Sequence, residues 1–176
     1  MDPDRVQRYA TALFEVARAE GSLEVVEDEL FRFARTLEGS DELRSALTDP
    51  AIPADRRVRV VEDLLGDRAS PTTVSLVLLV VGVGRTKELP AIIDRLVERA
   101  AAERQRVVAE VRSAIPLDGD QRDRLARALG RATGKAVEVK VVVDPSVLGG
   151  VVAQVGDTVF DGSVRGRLAQ LREAIG

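Results

Sequence analysis

The 176-residue chain has no cysteine, no histidine and no tryptophan. Without cysteine there are no disulfides, no thiolate nucleophile and no sulfur ligand for zinc. Without histidine the usual general base at neutral pH is missing as well. Catalysis would have to run on carboxylates, lysine, serine or tyrosine. The lack of cysteine fits a reducing compartment. Aromatic residues make up only 3% of the chain. Tyr9, Phe14, Phe31 and Phe33 fall in its first fifth, and Phe160 stands alone later. The core must therefore be built mostly from valine, leucine and alanine. Long hydrophobic runs are absent too. The longest, Val74 to Gly84, is about half the roughly 20 residues that span a bilayer. The opening stretch, MDPDRVQRYATALFE, is charged throughout and carries no secretory apolar region. A soluble protein is expected, with no direct membrane insertion.

What remains is 45% hydrophobic and 31% charged, which allows a packed core. The net charge is −3, and acids and bases are interspersed. No basic block marks a nucleic-acid or lipid footprint, so no nucleic-acid partner is expected.

The first hundred residues read as helices with clear stop signals. Val6, Ala10, Leu13 and Ala17 form an apolar stripe at helical spacing. Gly21 ends that helix, and Ser22 is placed to cap the next. Val26, Leu30, Phe33 and Leu37 make the second stripe, closed by Gly39. Ser40 to Leu47 predicts a short helix, stopped at Thr48-Asp49-Pro50. Pro53 opens a fourth, with Val58, Val61 and Leu65 inward and Gly66 at its end. Ser70-Pro71 reads as a cap and first-turn proline before the run Val74–Val83. That run is rich in valine, so strand is the alternative. The cap, the length and the helical neighbours favour helix. A charged helix from about Leu89 to Arg104 follows, with Ile92, Ile93, Leu96 and Val97 apolar. Six helices with short connections predict a bundle over residues 1–105.

Near Gln105 the period changes. Val107, Ala109 and Val111 alternate with Val108, Glu110 and Arg112, as in a strand. Asp118 and Gln121 have capping-box spacing ahead of a helix carrying Leu125, Ala128 and Leu129. Gly134 ends it. Val137, Val139, Val141 and Val143 alternate with Glu138 and Lys140. Val151–Val155 and Thr158–Asp161 flank Gly156-Asp157, a two-residue hairpin signal. A final helix is predicted from Ser163, with Val164, Leu168, Leu171 and Ile175 on one stripe. The fold class is thus mainly α, a six-helix bundle followed by a small α+β domain over 106–176. No Pro- or Gly-rich linker separates the two.

Phosphate-loop and dinucleotide readings do not survive inspection. Gly82-Val83-Gly84-Arg85-Thr86-Lys87 lacks the order of a P-loop and reads as a helix C-cap and turn. Gly149, Gly150 and Gly156 lack GxGxxG spacing and precede strands. Acid pairs such as Asp118/Asp120 and Glu62/Asp63 lie in caps and helix ends and read as solvated or dipole-complementing residues rather than an acid/base pair. Arg122, Arg124, Arg127 and Arg131 make one helix basic, and a solvated face is the favoured reading. No catalytic residue, cofactor site or metal site is assigned.

Two features exceed ordinary packing. At about 100° per residue, the apolar arc of the first helix covers about 200°, because Tyr9, Ala12 and Val16 extend it. The Val74–Val83 helix is apolar all round. Leu76, Leu79, Val80 and Val83 have the spacing of one face, so these two helices are predicted to leave a groove for an amphipathic helix. The second feature is Asp161-Gly162-Ser163-Val164-Arg165-Gly166-Arg167-Leu168, which reads as a strand-to-helix corner. Gly162 is predicted at φ > 0, Gly166 is predicted to allow close helix–sheet approach, and Asp161 is the nearest partner for Arg165.

Val143-Asp144-Pro145-Ser146-Val147-Leu148-Gly149-Gly150-Val151-Val152, Val155-Gly156-Asp157 and the Asp161–Leu168 stretch together resemble the C-terminal motif of bacterial F-type ATP synthase delta subunits. These are the counterparts of the mitochondrial oligomycin-sensitivity-conferring protein. Arg8-Tyr9-Ala10-Thr11-Ala12-Leu13-Phe14 resembles the family's opening helix, and Gly84-Arg85 with Leu89-Pro90 the turn into its sixth. Val81-Gly82-Val83 departs from the pattern, where more polar residues are expected. The resemblance implies a non-catalytic peripheral-stalk subunit on the cytoplasmic side of the cell membrane. It implies an N-terminal domain on the catalytic head, with helices one and five holding the N-terminal helix of an α subunit. It implies a C-terminal domain holding the C-terminal end of the b subunit. The rivals are a helical nucleic-acid-binding or regulatory module, which the acidic pI disfavours, and a carboxylate enzyme, for which no constellation is present.

Overall fold

Helix α1 (Pro3–Ala19) starts where the Asp2 carboxylate accepts the backbone N–H groups of Asp4 and Arg5. The computed structural model describes residues 2–163. At the end of α1 the Gly21 N–H donates to the Arg18 carbonyl and the Ser22 N–H to that of Ala17. This is a Schellman closure, with Gly21 at φ 66°. Val6, Ala10, Leu13 and Ala17 are all buried, and Phe14 with them.

Helix α2 (Leu23–Gly39) buries Val26, Leu30, Phe33 and Leu37. Ser22 precedes it without capping it through the side chain. Its ψ of 13° is not the extended value of a capping residue, and its hydroxyl donates back to the Ala17 carbonyl at 3.4 Å. Helix α3 (Asp41–Thr48) is capped by Ser40, whose hydroxyl accepts the Leu43 N–H. In α4 (Ala54–Leu65), Val61 and Leu65 are buried and Val58 is half-buried.

The valine-rich run is helical: α5 spans Pro71–Gly82. The Ser70 hydroxyl accepts the Thr73 N–H at 3.3 Å. Its C-terminus repeats the Schellman pattern, Gly84 N–H to the Val81 carbonyl and Arg85 N–H to that of Val80. Gly84 sits at φ 73°, so the glycines of this stretch serve a helix end. A 3-10 turn at Thr86–Glu88 leads into α6 (Leu89–Glu103). Ile92, Ile93, Leu96 and Val97 are buried there.

The chain divides into two compact units at Ala100/Ala101, within the last turns of α6. That helix closes without glycine. The Gln105 N–H donates to the Ala102 carbonyl and the Arg106 N–H to that of Ala101, with Gln105 at φ 57°.

The second unit is built on β1 (Val107–Ser113), α7 (Gly119–Thr133), β2 (Val137–Val143), β3 (Val151–Val155) and β4 (Thr158–Asp161). The strand order is β2-β1-β3-β4. β1 and β2 are parallel with α7 as their crossover; the other pairs are antiparallel. Asp118 and Gln121 form the capping box of α7. Ala109, Val111, Val137, Ala153 and Val155 pack with Leu129 of α7, and Leu125 and Phe160 lie against them. Of the apolar residues on α7, Ala128 is exposed and Ala126 is half-buried. The alternation in β2 is also incomplete. Val137 is buried, but Val143 is 50% exposed and Lys140 only 8%. The ammonium of Lys140 pairs with Glu138 at 3.1 Å, and Arg104 pairs with the same carboxylate at 2.8 Å.

The corner differs from expectation. Gly162 does not take positive φ; Gly149 (63°) and Gly150 (81°) do. The close approach falls at Gly150, where an added Cβ would lie 2.5 Å from the Gly162 carbonyl oxygen. Gly162 instead donates its N–H to the Val151 carbonyl at 2.9 Å. The Asp161 carboxylate accepts both the N–H and the hydroxyl of Ser163, at 2.9 and 2.6 Å. Gly156 opens the β3–β4 hairpin at φ 57°. The predicted final helix, with Val164, Arg165, Gly166, Leu168, Leu171 and Ile175, lies outside the described residues.

Two substitutions test these backbone assignments in opposite directions. Gly150→Ala combines left-handed strain with a backbone clash and is expected to destabilise the chain by about 2 kcal/mol or more. Gln105→Gly removes left-handed strain and is expected to stabilise by about 0.5–1 kcal/mol. Urea denaturation of the full chain, followed by circular dichroism, measures both.

Candidate functional site

Helix α1 has two flanks beside its buried stripe, and they meet different neighbours. On one flank Arg99 of α6 donates to Glu15 at 3.1 Å, and its guanidinium lies 4.7 Å from the centre of the Phe14 ring. The other flank carries Arg5, Tyr9, Ala12 and Val16, which fall within about 60° of one another at helical pitch. Tyr9 is half-buried, Ala12 is exposed, and Val16 is 46% exposed. Polar residues are the usual occupants of such a position, so an open strip of tyrosine, alanine and valine needs a reason.

Its N-terminal end is anchored near the end of α5. Arg5 donates to both carboxylate oxygens of Glu88, at 2.8 and 3.3 Å. Arg85, just beyond α5, reaches the same carboxylate at 3.4 Å. The ion pair thus ties the apolar flank of α1 to the turn that follows α5. Nothing in the spacing of Arg5 and Glu88, 83 positions apart, announces it.

Helix α5 carries no charge, so its outer face is chosen by packing alone. Leu79 and Val83 are outward, 52% and 53% exposed. Leu76 and Val80, grouped with them from sequence, belong to the core at 5% and 0%. The i, i+3, i+4, i+7 pattern is satisfied on every side of an all-apolar helix, which is why it selected a mixed set. The exposed apolar set is therefore Ala12, Val16, Leu79 and Val83, with Tyr9 half-buried beside them.

Glu29 of α2 fixes the start of α5. Its carboxylate accepts the Ser70 N–H at 2.9 Å and the Ser70 hydroxyl at 2.8 Å. Ser70 in turn caps α5 through Thr73. Burial, the largest single influence, pushes the Glu29 carboxyl upward. Hydrogen bonds from Thr73 and from both groups of Ser70 outweigh it, and hold the carboxyl below its ordinary range.

Among the described residues no group of acids could hold a metal ion, and no helix is long and apolar enough to cross a membrane. The description "ATP synthase delta (OSCP) subunit" matches residues 6–175. The chain belongs to this family. It is 46% identical to the ATP synthase subunit delta of Nocardia farcinica over 93% of its length, and 45% identical to that of Rhodococcus opacus over 93%. The matched regions are 61% and 59% of those proteins, so the chain spans about three-fifths of the curated relatives it matches. In structure it is similar to a chain of the Toxoplasma gondii mitochondrial ATP synthase hexamer. The TM-score is 0.58 at 27% identity, over 97% of this chain and 96% of that one. A chain of the Polytomella F-ATP synthase covers 56% of it at 30% identity and TM-score 0.52, with 88% of that chain matched.

In this delta-family chain the described residues of the C-terminal motif shape the backbone. Gly149 and Gly150 supply left-handed backbone before β3, Gly156 turns the hairpin, and Asp161 and Ser163 close the corner.

The Glu29 assignment has a pH signature. A carboxyl held low in the folded state stabilises above its unfolded pKa, and that contribution is lost as pH falls through the folded value. Glu29→Ala is expected to cost about 1–2 kcal/mol at neutral pH. The gap from wild type should close below the ordinary carboxylate range, as measured by denaturation from neutral pH into acid.

Proposed function

We propose that this chain is a non-catalytic peripheral-stalk subunit of an F-type ATP synthase. It links the catalytic α/β head to the membrane-anchored b subunit, so that the head does not turn with the rotor. Proton-driven ATP synthesis then depends on it mechanically. Its place is on the cytoplasmic side of the membrane, held there by partners. Family membership over residues 6–175 supports the reading. So does the likeness to chains within two solved ATP synthases.

The first unit, in this proposal, acts as a six-helix bundle whose α1 and α5 take the N-terminal helix of an α subunit. One observation carries it: apolar side chains stand open on both helices, and the Arg5–Glu88–Arg85 cluster ties α1 to the turn after α5. Tyr9, Ala12 and Val16 form one wall, Leu79 and Val83 the other. Ala12 is the low point, where a guest helix can come close. Burying roughly 400 Å² of apolar surface is worth about 10 kcal/mol before association costs, enough for a stable contact after them. The second unit, in the same proposal, holds the C-terminal end of the b subunit.

Titration of an α-subunit N-terminal peptide into the full chain tests the groove. Ala12→Asp and Leu79→Asp are each expected to weaken binding about tenfold or more, because each leaves a carboxylate unpaired in an apolar contact. Both positions are exposed, so helicity should be unchanged. A folded Ala12→Asp variant with wild-type affinity would remove α1 from the interface.

A further inference from the structure

Helix α7 carries more arginines than acids, and among the described residues three of them stand in a column without an acidic partner. Arg124, Arg127 and Arg131 recur at i, i+3 and i+7 and share a sector of about 60°. Among the described residues none of the three forms an ion pair; Arg124 reaches only the Asp120 carbonyl, at 3.4 Å. The helix holds four arginines against Asp120 and Asp123, an excess of two positive charges. Next to this column α7 carries Gln121, Ala128 and Ala132, all exposed. Beyond them an open groove is lined by Leu117, Leu125, Ala128 and Val151.

The groove starts at an apolar end of the unit. β1 and β2 both finish there, since Ser113 pairs with Val143, and β3 begins there, since Ser113 also pairs with Val151. The loops at that end expose Ile115 at 64% and Leu148 at 62%. An apolar floor, small residues that admit close approach and an unmatched basic rim thus run side by side.

We propose that this flank of α7 is the docking groove for an acidic amphipathic helix. The guest's apolar stripe covers Leu117, Leu125, Ala128 and Val151, and its carboxylates meet Arg124, Arg127 and Arg131. Seven residues of helix rise about 10.5 Å, so acids at i, i+3 or i+4, and i+7 of a guest span the same column. Nucleic acid is disfavoured because among the described residues no aromatic lines the groove for bases to stack on. The inference rests on the stalk role proposed above and assigns the surface in the second unit that holds the b-type chain.

The probe is a synthetic C-terminal segment of the cognate b subunit, titrated calorimetrically into the full chain. An α-subunit N-terminal peptide serves as the internal control. Combined Arg124→Glu, Arg127→Glu and Arg131→Glu is expected to weaken the b segment about tenfold to hundredfold and to leave the α peptide unaffected. The corresponding triple lysine variant should retain most of the affinity. Wild-type affinity for the b segment should fall about tenfold between about 50 and 300 mM salt. Equal b-segment binding by wild type and the folded triple Glu variant overturns the groove while leaving the stalk role intact. Binding of neither peptide by wild type overturns the stalk role itself. Dimerisation in light scattering that the triple Glu variant abolishes overturns the groove in favour of a second copy. Salt-sensitive binding of a DNA oligonucleotide at the same residues overturns it in favour of nucleic acid.

Discussion

An uncharged helix of twelve residues has to lose most of its surface to the interior, and α5 sets that condition on the whole first unit. It packs against α2 and α4 and buries Leu76, Val77, Val80 and Val81. Such a helix has no amphipathic stripe to orient it, so its ends do the work. Glu29 and Ser70 fix the N-terminal end, and the Schellman turn at Gly84 fixes the other. Once both ends are set, the remaining turn of the wheel decides which apolar residues stay outside. Leu79 and Val83 are the remainder. The same step explains the aromatic economy of the core: leucine, valine and alanine allow neighbours to approach an all-apolar helix on several sides without large rings to accommodate.

Much of this was legible from spacing. The stripes of α1, α2 and α6 are legible residue by residue, because each has a polar face to contrast with the apolar one. The capping box at Asp118 and the hairpin at Gly156 were legible because their chemistry is local. Legibility ended where local signals were silent. In α5 periodicity cannot rank faces that are all apolar: the spacing puts Leu76 and Val80 on the outer face, and they lie in the core. In β2 strand position overrides alternation: Val143 is at the strand end, and Lys140 finds Glu138 as a partner. The corner needed positive φ, but at Gly149 and Gly150 rather than Gly162. Only the fold reveals that the backbone at Gly150 passes against Gly162 and Ser163. Contacts such as Arg5–Glu88 and Ser70–Glu29 join distant positions and have no spacing rule to betray them.

The two proposed docking surfaces rest on different physics. The surface proposed on α1 and α5 is apolar and nearly uncharged at its centre, with its one ion cluster satisfied internally. The flank of α7 joins a modest apolar floor to arginines that have no ion-pair partner among the described residues. Apolar burial depends weakly on ionic strength, whereas an exposed ionic rim is screened within about 10 Å at ordinary salt.

That difference bears on how a connector works under load. A part that ties a head to a stalk gains from two attachments that do not accept each other's ligands. A neutral groove rejects an acidic helix because carboxylates would be desolvated against Leu79 and Val83. A basic rim discriminates against a guest that brings no acids, because its arginines would then lose water without gaining partners. Discrimination therefore comes from the cost of the wrong pairing at each site, and the affinity of either site can be moderate. Engaging both at once raises the effective concentration of the second partner, so moderate contacts in series hold more firmly than either alone.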